Sequence, residues 1–158
     1  MKLTDYLPQN LIKIPLQVSD KTQAITVLVD LLAEQGLTSK RDQLLQAVLE
    51  RESQRTTGIG RGFAIPHAKC DAVGKLMIAC GRPEEPIDFA AIDDQPVRLI
   101  ALLVSPTNET STHIQALAKL SRLVTNDKLL SSLLEAKDAS EFHALISEND
   151  HAFSSQAE

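Results

Sequence analysis

A chain of 158 residues with 43% hydrophobic and 23% charged side chains suits one soluble domain, and with only 3% aromatics its core must be aliphatic. A net charge of -5 speaks against a general nucleic-acid binder, which would be basic. No apolar run nears the roughly 20 residues that cross a bilayer, and Met1 to Asn10 lacks the basic start and apolar core of a signal peptide, so the expectation is a cytoplasmic protein without membrane insertion.

Residues 11–18 alternate as a half-buried strand does, and Pro15 assigns that strand to an edge. Asp20 and Gln23 form a capping-box pattern that opens a helix with Ala24, Val27, Leu28, Leu31 and Leu32 on one face and Gly36 as its stop. Ser39 is placed to cap a second helix, whose apolar side is Leu44, Leu45, Val48 and Leu49 and whose last turn carries Glu50-Arg51-Glu52. A glycine-rich loop and a short strand end follow at 57–67. Residues 76–80 read as a strand, 87–89 as a short extended piece and 93–95 as a turn. Residues 97–104 are continuously apolar between Pro96 and Pro106, as expected of a central strand buried on both faces.

A loop over 105–111 precedes a helix over 112–124 with His113 in its first turn; Asp127 begins another helix, and Asp138 with Glu141 caps a last one. Strands mixed with helices in an order that is not strictly βαβ predict an α/β sandwich in a single domain over 1–150, with 151–158 a polar, frayed tail. Cys70 and Cys80 fit no CxxC pattern and read as free thiols.

The chemistry concentrates in Thr57-Gly58-Ile59-Gly60-Arg61-Gly62-Phe63-Ala64-Ile65-Pro66-His67-Ala68-Lys69, which holds three of the six glycines. No GK[ST] follows, so it is not a Walker loop, and the spacing is not that of the dinucleotide fingerprint. What remains is backbone able to approach an anion such as phosphate, with Pro66 delivering His67 at a strand end. His67 has two readings: a histidine bonded locally, or a phosphoryl acceptor whose neutral imidazole attacks phosphorus in line. In the second, Arg51 and Lys69 supply charge and His113 donates a hydrogen bond, though first-turn polar residues and helix-end cations often serve no function. A metal site from His67, Cys70, Cys80 and His113 lacks a second tight ligand pair, and a Cys70 nucleophile lacks a third group; neither metal nor cofactor is expected.

Glu50-Arg51-Glu52 followed by Thr56 to Lys69 resembles the phosphorylation-site signature of the fructose/mannitol-type enzyme IIA proteins (EIIA type 2) of the bacterial phosphotransferase system. The resemblance continues through Pro86-Ile87-Asp88-Phe89, Ile92-Asp93-Asp94-Gln95-Pro96-Val97, Leu102-Leu103-Val104 and His113-Ile114, and covers about residues 3–148. The Gly-Ile-Gly form and the stand-alone length are most similar to the nitrogen-regulatory branch, EIIA-Ntr.

The resemblance implies a mixed parallel/antiparallel β-sheet flanked by helices on both faces. It implies that His67 takes phosphate on Nε2 from an HPr-like phosphocarrier (NPr), supported by His113 and Arg51. Thr57, Gly58, Gly60 and Gly62 would form the approach loop. It implies a phosphotransferase component in the broad sense, either regulating targets such as kinases or potassium transporters, or, as a free-standing sugar IIA, passing phosphate to a IIB domain. Two residues depart from the pattern: Phe63 stands where a smaller aliphatic is usual and Ser105 where an apolar residue is usual. Both are expected to alter packing near the site.

Overall fold

The most apolar stretch of the chain becomes the centre of the sheet. In the computed structural model, which describes residues 1–155, strand β6 (Leu99–Ser105) is buried at all seven positions. Side chains alternate between faces along a strand, so this pattern requires cover on both sides of the sheet. On one flank β6 pairs antiparallel with β5 (Met77–Pro83), which in turn pairs parallel with β1 (Ile12–Leu16) at the sheet edge, where Pro15 is tolerated.

On its other flank β6 pairs parallel with two short strands in succession, β3 (Phe63–Ala64) against Leu99 and Ile100, then β4 (His67–Lys69) against Leu103, Val104 and Ser105. They are one line of strand interrupted at Ile65-Pro66. Pro66 cannot donate to the ladder, but its carbonyl accepts from Leu103 N at 3.0 Å and keeps the register. Strand β2 (Gly58–Gly60) folds back antiparallel on β3, so the sheet is mixed and the order is β1-β5-β6-β3-β2. The expected glycine loop is therefore a β-hairpin. Arg61 and Gly62 both have positive φ, 58° and 79°, the geometry of a type I′ turn, and Asp93 Oδ2 accepts from Arg61 N at 3.0 Å to hold it.

Among the described residues five α-helices flank the sheet: α1 (Lys21–Glu34), α2 (Arg41–Gln54), α3 (Thr110–Ser121), α4 (Asp127–Glu135) and α5 (Ala139–Ser155). The capping boxes form, shifted by one residue in their reciprocal bond. Asp20 accepts from Gln23 N at 2.8 Å, while the Gln23 side chain accepts from Ser19 N at 2.9 Å. Asp138 accepts from Glu141 N at 2.9 Å, and Glu141 Oε2 accepts from Lys137 N at 3.1 Å. Gly36 takes φ +74°, and Leu37 N donates to Leu32 O across it, closing a Schellman end on α1. Ser39 does not cap α2. Lys40 stands at the cap position, and Thr38 secures the turn by accepting from Lys40 N and donating to Ala72 O at 2.7 Å. The predicted helix over 112–124 ends at Ser121 and tightens into a 3₁₀ turn over Arg122–Thr125.

The chain ends are tied together. Asp150 is buried and accepts from Leu3 N at 2.8 Å and Thr4 Oγ1 at 2.8 Å, satisfying the first turn of the chain. Where a polar, frayed tail was expected over 151–158, α5 continues to Ser155; residues 156–158 of that tail lie outside the described residues. Among the described residues no helix is long and apolar enough to cross a membrane.

Candidate functional site

His67 opens β4 immediately after the Ile65-Pro66 break, so its ring stands at the edge of the sheet rather than within it. Its Nδ1 lies 2.8 Å from the carbonyl oxygen of Ile65. A carbonyl only accepts, so Nδ1 carries the hydrogen and, in the neutral ring, Nε2 carries the lone pair. Nε2 has no hydrogen-bond partner among the described residues. Since no buried side-chain nitrogen or oxygen among them is left unbonded, this atom reaches open space. The pKa of His67 is lowered, first by burial and further by the Arg51 guanidinium, against opposing pulls from the Ile65 carbonyl and Glu52. At neutral pH the ring is thus uncharged, with a free lone pair on Nε2.

His113 meets His67 edge-on, with ring centroids 5.6 Å apart. It is buried in the first turns of α3, and its Nδ1 lies 2.7 Å from Ser105 Oγ at the end of β6. Burial, then the neighbouring His67 and Lys69, lower its pKa to about 4. Arg51 comes from the last turn of α2, where its Nη1 donates to Arg55 O at 3.1 Å. Arg51, His67, Lys69 and His113 line one cleft of about 430 Å³ with Glu50 and Leu117. Four of the sequence-predicted residues, separated by up to 62 positions, therefore share one cavity wall.

The glycine stretch divides. Thr57 and Gly58 line a second cleft, of about 240 Å³, that shares His67 and Arg51 with the first. Gly60 and Gly62 do not join them. Gly60 faces Asp93, and Gly62 opens on a separate cavity with Arg98 and Asp127, where Arg61 pairs with Asp127. Gly58 is required for packing as well, since a Cβ there would stand 2.8 Å from that of Ala91.

Glu52 was quoted in the motif without a role, and it has one. Its buried carboxylate accepts from Thr57 N at 3.0 Å, Thr57 Oγ1 at 2.5 Å and Lys21 Nζ at 3.1 Å. It thereby anchors the start of the hairpin to α2. Its place beside Arg51, one residue on along the helix, was the available signal. Ser105 was noted only as a departure from an apolar pattern; its hydroxyl is the group that meets His113 Nδ1. Phe63, the other departure, is fully buried and belongs to the core. Cys70 and Cys80 are buried free thiols, and burial pushes Cys80 up to about 12. Among the described residues no three His, Cys, Asp or Glu side chains are grouped to hold a metal ion.

A neutral imidazole with an open Nε2, a guanidinium beside it and a second histidine against it is the constellation that a phosphohistidine carrier needs. The chain belongs to the EIIA type 2 family of the phosphotransferase system: residues 5–149 match the family described as "Phosphoenolpyruvate-dependent sugar phosphotransferase system, EIIA 2". It is 39% identical over 141 residues to the fructose-specific EIIA component of Haloferax volcanii, covering 89% of this chain and 92% of that one. It is 35% identical over 150 residues to the fructose-specific EIIABC component of Bacillus subtilis; the match takes in 95% of this chain but only 24% of that larger protein. Its fold superposes on the crystal structure of the nitrogen regulatory protein IIA-Ntr from Neisseria meningitidis with a TM-score of 0.84 at 30% identity, covering 90% of this chain and 97% of that one.

Proposed function

We propose that His67 is the phosphoryl acceptor and that phosphate arrives on its Nε2 from an HPr-like phosphocarrier. The observation that carries this is the Ile65 carbonyl, which takes the Nδ1 hydrogen and leaves the Nε2 lone pair at the mouth of the cleft. The Nε2 lone pair forms the new N–P bond. The donor's N–P bond breaks, and its electron pair returns to the donor's imidazole. No proton has to leave His67 in this step, which suits a ring held neutral by burial. Arg51 and Lys69 balance the charge on the transferring group, and His113 donates to one of its oxygens. The exposed Ile92 lines the second cleft and offers apolar area to a docking partner.

The output is regulatory: phosphate adds negative charge to the His67 face and changes which target proteins it contacts. Likeness to the IIA-Ntr structure supports this branch. A second reading, in which the phosphoryl group passes on to a sugar-specific IIB domain, is favoured by the higher identity to the Haloferax fructose component. Incubation with enzyme I, an HPr homologue and phosphoenolpyruvate should place one acid-labile, alkali-stable phosphate on the protein. Equal labelling of His67→Ala would refute the acceptor assignment. Onward transfer to a IIB domain would select the sugar reading, whereas partner sets that differ between His67→Ala and His67→Asp would select the regulatory one.

A further inference from the structure

We propose that Ser105 is a positioning residue for phosphoryl transfer: its hydroxyl donates to His113 Nδ1 and holds that ring as the Nε2–H tautomer, the opposite of His67. This rests on the reading of His67 as the acceptor.

The 2.7 Å contact between Ser105 Oγ and His113 Nδ1 admits two hydrogen placements. If Nδ1–H donated to Oγ, the hydroxyl would need another acceptor for its own hydrogen. Ser105 is fully buried and Oγ has no other hydrogen-bond partner among the described residues, so that hydrogen would be stranded away from water. If instead the hydroxyl donates to Nδ1, its hydrogen and the Nδ1 lone pair are both used, and the ring hydrogen sits on Nε2. His113 Nε2 makes no hydrogen bond among the described residues, none of whose buried side-chain polar atoms is unbonded, so it too reaches the open space of the cleft it lines with His67.

The two histidines are therefore set in complementary forms by two different partners. A carbonyl, which only accepts, makes His67 Nε2 a nucleophile. A hydroxyl with no other acceptor makes His113 Nε2 a donor. A neutral donor is what this place requires, because burial disfavours the imidazolium. The tautomer lets His113 bond an arriving phosphoryl oxygen without first taking up a proton.

The test is long-range ¹⁵N–¹H correlation NMR of histidine-labelled protein at pH 7, combined with rates of phosphate uptake from the HPr homologue. His113 should show a protonated Nε2 and a hydrogen-bonded, unprotonated Nδ1; a protonated Nδ1 would overturn the proposal. Ser105→Thr and Ser105→Val crowd the site equally, and only the first keeps a hydroxyl. With folding checked by circular dichroism, Ser105→Val should take up phosphate roughly three- to tenfold more slowly, the range expected for one lost hydrogen bond. Ser105→Thr should stay nearer the parent rate and retain the His113 signature. Equal rates in the two variants would remove Ser105 from the mechanism. Full labelling of His67→Ala would instead sink the acceptor reading, and it would do so with the His113 tautomer unchanged.

Discussion

His67 Nδ1 and the Ile65 carbonyl lie 2.8 Å apart across Pro66, so the backbone break in the strand is also what orients the ring. The expected consequence is regiochemical. Phosphate should appear on Nε2 and not on Nδ1, which ³¹P and ¹⁵N NMR of the phosphorylated protein will distinguish. Phosphate on Nδ1 would mean that the Ile65 bond breaks before transfer.

Arg51 should matter to rate and little to stability. It is half-buried, and among the described residues its guanidinium bonds only the carbonyl of Arg55, at 3.1 Å. Arg51→Ala should slow phosphate uptake by roughly 100-fold, the scale of removing one preorganised charge from a transition state. Stability should move by no more than about 0.5 kcal/mol, as for other substitutions outside the core. Parallel uptake assays and denaturant melts will separate the two effects.

Glu52 should show the reverse pattern. Glu52→Ala leaves the Thr57 amide and hydroxyl without their acceptor and Lys21 without its carboxylate. A loss of about 2–4 kcal/mol in urea unfolding is expected from unsatisfied buried groups. Glu52→Gln keeps an acceptor for Thr57 and should lose less. An unchanged midpoint for Glu52→Ala would show that the hairpin does not depend on this anchor.

The glycines should act first on folding. A Cβ at position 58 would meet Ala91 Cβ at 2.8 Å and its Cα at 2.9 Å, and the latter is backbone that cannot swing away. Gly58→Ala should therefore cost about 1–3 kcal/mol from overpacking. Gly62→Ala, at φ +79° and with room for a methyl, should cost about 1–2 kcal/mol from the left-handed backbone alone. Gly62 is remote from the His67 clefts, so its alanine variant should label at nearly the parent rate at a temperature where it is folded. A large fall in labelling with an intact fold would restore Gly62 to an approach loop.

Acid should unfold the protein partly through His113. Its folded pKa of about 4 lies below the ordinary 6.5, chiefly because burial disfavours the charged ring. Between those values the unfolded chain binds more protons than the folded one, so stability rises with pH there and falls as pH drops from about 6.5 towards 4. His67, lowered in the same direction, adds to the slope. Urea midpoints measured from pH 7 to pH 4.5 should decline more steeply for the parent than for His113→Gln, which has no ring to charge. Parallel slopes would mean that His113 takes up its proton in the folded state without penalty.

Much of this protein was readable along the chain because the responsible interactions are local. Asp20 with Gln23 and Asp138 with Glu141 lie three residues apart, so helix starts were legible, and the run 97–104 announced the central strand by its lack of polar residues. The setting of His67 in the Ile-Pro-His sequence is local for the same reason, since the bond that orients its ring spans only two residues. Ser39 misled because a serine before a helix is a good cap in general, whereas here Thr38 holds the preceding turn by reaching Ala72, 34 residues on.

What the chain alone could not decide were relations between groups far apart in sequence. Asp150 closing on Leu3 and Arg51 coming to the cleft of His67 and His113 depend on where the helices pack against the sheet. Gly62 facing away from His67 depends on how the hairpin turns. Sequence by itself marked the candidate residues and where most of the helices begin. The tertiary structure decided which of them meet and, through the buried Ser105 and the Ile65 carbonyl, which nitrogen of each histidine is left to act, because a hydrogen bond's direction is settled only when both of its ends and their other partners are in place.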